Sequence, residues 1–456
     1  MPKKGALCIV LVLLVMSLSF GGISDFSEAT VLDDLPGLGE SLVVDSDTTF
    51  TVEAGETVVS EGKITLQGLG SAVPEFTVIN NGDLTIKSEV NCNSAKLTIQ
   101  NNGMLALQDF SVRLDGNSTV TVENGENFSM DDVNVQVYGG YFYVSNGGTL
   151  ESHNLYIKDQ FDGTLISNSG ECTLSETTFV ANGAHGKIEV FNSGDMQIHH
   201  GTFDVNYGGR ININTAAGNL VVEDSSVDVS GASHGKKSDV NVIASNTTWN
   251  RCSFVNNNGN INYLHSGEGS LTNCTIQNSG ADSSTILTIT APIVLEDCSI
   301  SGSGSALITN HNTMRVVDST FTTTHSLSLM NYGELNAENW LVQTTDSNDK
   351  ITIYTGENGT ISFDASFIKD VSAVDLSAVG PEGQEFVEST GGIIDVTNNG
   401  VIRTQASTAD SSPNYSVYAL AIVVALIAII IILLVVRRRR KSKHLQVPPP
   451  PPPPPL

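Results

Sequence analysis

The six-residue stretch "LQDFSV" at residues 107–112 recurs along the chain and decides the fold. Each copy alternates apolar and polar residues, which is the period-two pattern of a strand buried on one side. Copies begin between residues 107 and 362 at intervals of roughly 23 residues, so the chain is a repeat protein. The clearest further copies are "MDDVNV" (130–135), "LSETTF" (174–179), "IHHGTF" (198–203), "VEDSSV" (222–227), "WNRCSF" (249–254), "LTNCTI" (271–276), "LEDCSI" (295–300) and "VVDSTF" (316–321).

A second strand-like run closes most repeats, as in "LTIQNNG" at residues 97–103. Helical periodicity is absent. One repeat therefore holds two or three short strands with turns, which is too little to bury an apolar face alone. Stacked repeats bury one continuous core, so the sequence predicts an all-β solenoid.

Aligned repeats show columns of like residues. The last position of the six-residue core is apolar in every copy and is predicted to point inward, whereas the position before it is mostly Ser or Thr and is predicted to point outward. An asparagine recurs two residues after an apolar strand residue. We expect these asparagines to hydrogen-bond along the stack at a tight turn, where Asn also tolerates left-handed backbone angles. They are Asn80, Asn101, Asn124, Asn146, Asn168, Asn192, Asn310 and Asn331.

The repeat length, the asparagine column and the apolar columns resemble those of right-handed parallel β-helix proteins with the pectin-lyase-like architecture, of the adhesin-like cell-surface type. The resemblance covers residues 76–370, and "IIDVTNNG" at 393–400 extends it to about residue 402. It implies a right-handed parallel β-helix solenoid of about 13 coils. Residues 76–402 are thus predicted to form the ectodomain, preceded by an N-terminal segment and solenoid cap at 24–75 and followed by a polar stalk at 403–416.

The two ends of the chain predict its topology. Lys3 and Lys4 precede an apolar run and then small residues, so residues 1–23 are predicted to be a secretory signal peptide; an uncleaved anchor is the alternative. Residues 417–436 carry no charge and are long enough for one transmembrane α-helix. The basic residues after it predict a cytoplasmic C-terminus and a plasma-membrane protein. These membrane-proximal residues are Arg437, Arg438, Arg439, Arg440, Lys441 and Lys443.

The charge of the chain is strongly acidic. The net charge is −27, and all 49 acidic residues lie between residues 24 and 415. Nucleic-acid binding needs a basic surface, so nucleic acid is not an expected partner.

A proline tract ends the chain. Eight prolines form a stiff polyproline II rod that aromatic-lined grooves recognise. The tract resembles a profilin ligand, which implies a cytoplasmic proline-binding partner such as profilin; a passive tract without a partner is the alternative. The predicted ligand residues are Pro448, Pro449, Pro450, Pro451, Pro452, Pro453, Pro454, Pro455 and Leu456.

Four cysteines have predicted places in the repeat. Cys172 takes an inward position that apolar residues fill in other repeats, and is predicted to be a core residue. Cys252, Cys274 and Cys298 share one column, which Ser, Thr, Gly or Ala fill elsewhere. The column predicts either a buried ladder of thiols or a disulfide within it, because neighbours would be about 5 Å apart. A straight column cannot form a tetrahedral metal site, so no metal is predicted.

Six Asn-x-Ser/Thr sequons are candidate glycosylation sites on an exported domain. They lie at Asn117, Asn127, Asn246, Asn273, Asn358 and Asn414.

Enzymatic activity is not expected. Some β-helix relatives cleave acidic polysaccharides with clustered carboxylates, and this chain has Asp131–Asp132 and "AHG" at 184–186 but lacks the accompanying "NTD" and Arg-Ile-Lys motifs. Aspartates recur instead at one turn position of the repeat, which favours a structural role over one uneven catalytic cluster. No cofactor is predicted. The recurring residues are Asp109, Asp132, Asp224, Asp297, Asp318 and Asp364.

One local group of cations stands out. "NGAHGKI" at 182–188 and "GASHGKK" at 231–237 are similar loops two coils apart. Together with an intervening arginine they could form an anion-binding patch for an anionic sugar or for carboxylates of a partner; scattered, exposed cations are the alternative. The candidate residues are His185, Lys187, Arg210, His234, Lys236 and Lys237.

The sequence therefore predicts a non-enzymatic, single-pass cell-surface protein. Its rigid acidic ectodomain would serve adhesion or recognition of an extracellular protein or glycan, and its tail would recruit a proline-binding protein. The alternative is a surface protein that binds or cleaves polysaccharides.

Overall fold

The computed structural model describes residues 30–363 apart from short gaps, together with 373–374, 393–398 and 401–404. All described residues belong to the first of two units, residues 1–404. The predicted signal peptide, transmembrane helix, basic block and proline tract, and also Asp364 and Asn414, lie outside the described residues. The gaps fall at 33, 38, 69–72, 162, 234–235, 258, 266, 279–284, 303–304, 324–325, 339, 345–349 and 357.

The chain folds as an all-β parallel solenoid of about 12 turns. This confirms the predicted all-β parallel solenoid, with about 12 turns where about 13 coils were expected. Each coil contributes three strands to three parallel ladders, which are called first, second and third in the order in which a coil such as 104–124 visits them. Neighbouring strands in one ladder therefore come from successive coils.

Strands of the first ladder begin the coil. Its members are Thr57–Ser60, Asp83–Ile86, Met104–Gln108, the first part of Phe128–Val137, the first part of Leu150–Asp159, Cys172–Ser175, Met196–His199, the second part of Arg210–Glu223, the second part of Asp239–Asn250, Gly269–Thr272, Ile293–Glu296, Thr313–Val317, Glu334–Glu338, Thr360–Phe363 and Val401–Thr404.

Strands of the second ladder follow after a one-residue turn and a buried residue. They are Ser41–Val44, Lys63–Gln67, Glu89–Asn93, Ser111–Asp115, the second parts of Phe128–Val137 and Leu150–Asp159, Thr178–Asn182, Thr202–Asn206, Ser226–Ser230, Ser253–Asn257, Thr275–Asn278, Ser299–Gly302, Thr320–Thr323 and Leu341–Thr344.

Strands of the third ladder close the coil. The ladder has one part with Thr30–Leu32, Thr48–Val52, Glu75–Asn80, Lys96–Asn101, Ser118–Asn124, Gly140–Asn146, Gly163–Asn168, Lys187–Asn192, the first parts of Arg210–Glu223 and Asp239–Asn250, and Asn260–His265. A second part contains Thr285–Ile289, Ser305–Asn310, Ser326–Asn331, Lys350–Thr355 and Ile393–Asn398, with Ala373–Val374 paired to the last. Ala232–Ser233 and Lys236–Lys237 pair antiparallel as a separate two-stranded sheet.

The ladders begin earlier than the sequence predicts. Ser41–Val44 pairs in parallel with Lys63–Gln67, and Thr57–Ser60 pairs with Asp83–Ile86. The segment 24–75, expected to hold a cap, therefore contains coils of the solenoid itself.

The core runs along the inside of the three ladders. Strands alternate buried and exposed residues, as Ser118–Asn124 does, because successive side chains point to opposite faces. The apolar column predicted to point inward is buried at every described side chain, so this prediction is confirmed. Its buried members are Val112, Val135, Ile157, Phe179, Phe203, Val227, Phe254, Ile276, Ile300 and Phe321.

A left-handed turn joins the first ladder to the second. In ten successive coils, one residue at this turn has a φ between 46° and 54°. Asp, Asn and similar residues reach these angles at modest cost, since a short polar side chain can bond locally. The ten residues, called the left-handed column, are Asp109, Asp132, Asn154, Glu176, His200, Asp224, Arg251, Asn273, Asp297 and Asp318. The recurring aspartates thus occupy a structural slot, as predicted, at each position that the structure describes.

A buried row of asparagine amides lies at the opposite turn, where the third ladder leads to the next coil. The Nδ2 of Asn146 donates to Oδ1 of Asn168 (2.6 Å) and to the carbonyl of Gly148 (2.9 Å), and Asn168 donates to Asn192 (2.7 Å). The predicted ladder of side-chain hydrogen bonds is confirmed. Called the amide ladder, it comprises Asn80, Asn101, Asn124, Asn146, Asn168 and Asn192, with a second run at Asn310 and Asn331.

The eight asparagines do not adopt the left-handed backbone angles that Asn tolerates. Among the described residues, positive φ values recur at the left-handed column and not at the eight asparagines, which end strands. The reason is that the amide must point inward to reach its neighbour in the next coil, and the extended backbone of a strand end provides that direction.

Candidate functional site

The cations of the predicted anion patch are brought together by the register of the third ladder. Lys187 pairs with Arg210, and Arg210 pairs with Asp239, so the three begin successive strands and lie side by side. Gly186 and Gly209 lie directly before the strands that begin at Lys187 and Arg210. An added Cβ at Gly186 would lie 2.6 Å from the carbonyl oxygen of Asp159, so only glycine fits there.

A surface depression of about 420 Å³ lies at these strand starts. We call it the cationic depression; its charged lining is His185, Lys187, Arg210, Lys237 and Asp239. Four of the six predicted patch residues therefore lie together. His234 lies outside the described residues, and Lys236 is described only as part of a strand.

Acidic neighbours partly neutralise this site. The Nζ of Lys187 lies 2.8 Å from Oε2 of Glu189, and the Nη2 of Arg210 lies 3.3 Å from Oδ2 of Asp239. The two cationic side chains remain 40% and 52% exposed. Exposed pairs of this kind are weak, so an incoming anion can compete for the same donors.

Aromatic rings flank the cations. Tyr141 and Tyr143 project from one strand with ring centroids 5.5 Å apart and planes 7° apart. The ring of Phe161, which is 51% exposed, stacks on His185 with centroids 5.7 Å apart. Gly163 lies in register with Tyr141 of the coil before it and, by continuation of the register, with Lys187 of the coil after it. The outward-facing row that contains Tyr141 and Lys187 therefore has no side chain at the middle coil. The surface therefore has a notch between a ring and a cation.

Sequence reasoning missed these aromatic residues. The signal was present in the alternation of "GYFYVSN" at 140–146, which places Tyr141 and Tyr143 on the outer face and Phe142 in the core. Burial, and then the charges of Tyr141 and Glu189, raise the pKa of Tyr143 above its ordinary value.

Two acidic groups with shifted pKa values, Asp224 and Asp228, lie at different places in the same coil. Asp224 receives two hydrogen bonds from Arg251, at 2.6 and 2.7 Å, which lower the pKa of that carboxyl. Burial and then the charge of Asp204 raise the pKa of Asp228. Asp224 belongs to the left-handed column, whereas Asp228 lies on the second ladder in register with Asp204.

The two sequence motifs that are similar to those of polysaccharide hydrolases lie in different turns of the coil. Asp132 belongs to the left-handed column between the first and second ladders. His185 lies in the turn that precedes the third ladder. The structure therefore does not bring them into one turn.

A second depression, of about 580 Å³, lies on the first ladder. Its charged lining residues are Asp83, Glu126 and Glu151, and the side chain of Met104 beside them is 70% exposed. The lining contains no cation, so this surface suits cationic or neutral ligands and not anions.

The five described cysteines are buried free thiols. Cys172 lies in register between Leu150 and Met196, which confirms its predicted core position. Burial raises the pKa of Cys92 and of Cys172 to about 12.

The remaining three cysteines stack in successive coils, directly after the left-handed column. Each thiol lies 3.3 to 3.4 Å from the carbonyl oxygen two residues before it. Small residues Ser225 and Ser319 flank the column, as expected, but the same slot holds Phe110, Val133, Leu155 and Trp340 in other coils, so the predicted restriction to small residues is wrong. The stacked residues are Cys252, Cys274 and Cys298.

The five sequon asparagines that the structure describes all have exposed side chains. They are Asn117, Asn127, Asn246, Asn273 and Asn358. Within the described part of the chain, no group of three or more His, Cys, Asp or Glu side chains is arranged to hold a metal ion. That same part of the chain contains no helix long and apolar enough to cross a membrane.

Comparison with protein-family models, with curated proteins and with solved structures found no match for the chain.

Proposed function

We propose that the protein is a non-enzymatic, single-pass cell-surface protein whose solenoid is a recognition or adhesion scaffold. In this proposal the solenoid is a right-handed β-helix of the pectin-lyase-like, adhesin-like type and lies outside the cell. The residues after 436 lie in the cytoplasm, where the proline tract binds a proline-binding protein such as profilin.

The observation that carries the scaffold proposal is the evenness of the coils. The left-handed column recurs in ten successive coils with nearly the same φ, and six of its ten residues are Asp or Glu, never more than one per coil. Catalysis by carboxylates needs a convergent set of groups with different surroundings. A regular column instead supplies a stiff acidic surface, and the exposed sequons are compatible with a glycosylated exterior.

The first test concerns the tail. A synthetic peptide of residues 437–456 would be used to capture proteins from a host lysate, with a matched peptide in which the eight prolines are serine. We expect the native peptide alone to retain profilin or another protein with an aromatic-lined proline groove. Equal recovery on both peptides would contradict the proposed recruitment.

The orientation has its own test. Protease added to intact cells should cut the solenoid while an epitope placed after Leu456 stays protected. Cleavage of the epitope in intact cells, or full protection of the solenoid, would contradict the proposed topology.

A second candidate function is binding of a surface polysaccharide, and the cationic depression favours it. Exposed rings of Tyr141 and Phe161 can stack on a sugar ring, and Arg210 can bind a carboxylate through two N–H groups. Calorimetric titration with a uronic-acid oligosaccharide should give a signal that is lost in Arg210→Ala. A neutral oligosaccharide of equal length should bind at least tenfold more weakly. Equal binding of the two sugars, or none of either, would remove this candidate.

A further inference from the structure

Three cysteines in successive coils form a continuous column inside the solenoid. Ser253, Thr275 and Ser299, the residues that follow the cysteines, pair in parallel register, so the cysteines are stacked directly on one another. Neighbouring strands lie about 4.8 Å apart. Disulfides join residues whose Cα atoms are usually 4.4–6.8 Å apart. Neighbours in this column therefore meet the distance requirement without movement of the backbone.

The central sulfur is set apart by its surroundings. Cys274 is hydrogen-bonded to the thiols of both Cys252 and Cys298, and these two contacts lower its pKa below the ordinary value of a cysteine. The same contacts, and then burial, raise the pKa values of the two outer thiols. By register, Cys274 is the one thiol of the column that has a thiol neighbour on both sides, and it is the thiolate form of a cysteine that attacks a disulfide.

We propose that Cys274 forms a disulfide with one neighbour in the column, Cys252 or Cys298, and leaves the third thiol reduced. Only Cys274 can take part in either bridge. Cys252 and Cys298 are two coils apart, about 9.6 Å, which exceeds the limit of about 7 Å for a bridge. The bridge would join two successive coils by a covalent bond.

The oxidant is a small external disulfide such as oxidised glutathione. The thiolate of Cys274 attacks one of its sulfurs, which breaks the external S–S bond and releases one glutathione thiolate. The neighbouring cysteine loses its proton and attacks the Cys274 sulfur of the mixed disulfide, and the second glutathione leaves. Two cysteines are oxidised by two electrons in total, and the external disulfide is reduced to two thiols.

The proposal rests in part on the proposed location of the solenoid outside the cell, since exported proteins meet oxidising surroundings. The chemistry itself can be tested apart from that location. Cys92 and Cys172 provide internal controls, because their neighbours in register are leucine or methionine and they have no thiol beside them.

The experiment uses the purified full-length chain and oxidised glutathione, in a urea concentration that opens coils transiently. N-ethylmaleimide in a parallel sample without glutathione must label all five described cysteines, which shows that the reagents reach them. After oxidation, the chain is denatured, labelled and digested without reductant, and the peptides are weighed by mass spectrometry. We expect Cys92, Cys172 and one column cysteine to be labelled, and a linked peptide pair that contains Cys274 and disappears on reduction.

Variants make the assignment specific. Cys274→Ser places in the column the residue that flanks it at Ser225 and Ser319, and should abolish the linked pair. Cys252→Ser should leave a bridge between Cys274 and Cys298, and the control Cys92→Ser should leave the wild-type pattern. A bridge that persists in Cys274→Ser, or full labelling of all five cysteines after oxidation of the wild type, would overturn the proposal. A bridge in the purified chain together with reduced cysteines in the chain isolated from cells would support the geometry and contradict the proposed outer location.

Discussion

The amide ladder and the left-handed column lie at two turns of the same coil, but they tolerate very different residues. In the amide ladder, one residue type recurs from Asn80 to Asn192, and its side chains are at most 5% exposed. The left-handed column accepts Asp, Asn, Glu, His and Arg at nearly the same φ. Both turns repeat once per coil, so repetition alone does not fix the residue.

Burial explains the difference. A buried polar group must find a partner, because an unsatisfied one costs about 1–3 kcal/mol. Asparagine offers a donor and an acceptor on one short planar group, so each side chain can accept from one coil and donate to the next. An exposed turn residue can bond to water, and its backbone angle is the only strict requirement. A solenoid is therefore restrictive where it is dry and permissive where it is wet.

The largest effect should follow from breaking the amide ladder at its centre. In Asn146→Ala, one N–H of the Asn124 amide and the Oδ1 of Asn168 lose their partner in the core, while Asn124 keeps its bond to the carbonyl of Glu126. We expect the free energy of unfolding to fall by about 2–4 kcal/mol, as for two buried unsatisfied groups. Urea denaturation followed by circular dichroism measures this.

The control for that variant is another stacked asparagine. Asn102 donates to Asn81 across neighbouring coils at 3.0 Å, but both side chains are exposed. Asn102→Ala should change stability by less than about 0.5 kcal/mol. If the two alanine variants lose equal stability, burial does not account for the amide ladder.

A smaller effect, here an increase in stability, should come from removing a buried hydroxyl outside the amide ladder. Thr215 takes the next position after Asn192, where the amide ladder stops, and its hydroxyl is buried without a hydrogen-bond partner. Thr215→Val keeps the shape and removes the unsatisfied group, so we expect stability to rise by about 1 kcal/mol. Thr121→Val, at an outward position of the same ladder, should have little effect. A loss of stability in Thr215→Val would contradict this interpretation.

The left-handed column predicts effects of opposite sign at adjacent residues. Glu176 has a φ of 53°, whereas Ser175 is the last residue of a strand. Glu176→Gly should raise stability by about 0.5–1 kcal/mol, since glycine adopts this angle without a steric cost. Ser175→Gly should lower stability by a similar amount. Thermal unfolding of both variants beside the wild type tests this, and a loss in Glu176→Gly would show that its side chain matters more than its backbone.

The smallest effect concerns charge in the left-handed column. Hydrogen bonds from Arg251 lower the pKa of Asp224, so this pair contributes stability above the ordinary pKa of an aspartate and loses it as the pH falls through the lowered value. Arg251→Gln should move the pKa of Asp224 up towards about 3.9. Carboxyl-carbon NMR titration measures it. An unchanged pKa would mean that the pair is not formed in solution.

Much of the fold could be predicted because the repeat makes its columns visible. Val112 and Phe203 stand at equivalent positions of aligned repeats, and both are buried. The inward direction of the column follows from period-two alternation, which needs no knowledge of the coil path. The same alignment places Asn101 beside Asn124.

The backbone angles could not be predicted in the same way. Asn tolerates positive φ, yet Asp109 and Glu176 adopt those angles, whereas the asparagines of the amide ladder end strands. The preference of a residue type shows which backbone angles it tolerates. It does not show which direction of the side chain the contact with the neighbouring coil requires.

The candidate site was predictable in part. Similar loops indicate that His185 and Lys187 lie near Arg210, and they line one depression. The ion pair of Arg210 with Asp239 joins residues 29 positions apart, and the coils differ in length around it. The stacked pair of Phe161 and His185 likewise depends on the path of two loops, which the strand pattern does not encode.

Hydrogen exchange measured by mass spectrometry tests the central claim most directly, namely that the coils from Glu75 to Asn192 form one continuous stack of equivalent parallel coils. The account predicts slow exchange in every peptide that covers a strand of the third ladder from Glu75–Asn80 to Lys187–Asn192, with similar protection from coil to coil. Faster exchange is expected at the outer loops, such as the one that holds His185. Rapid exchange of whole coils within that range, in alternation with protected ones, would contradict the continuous stack.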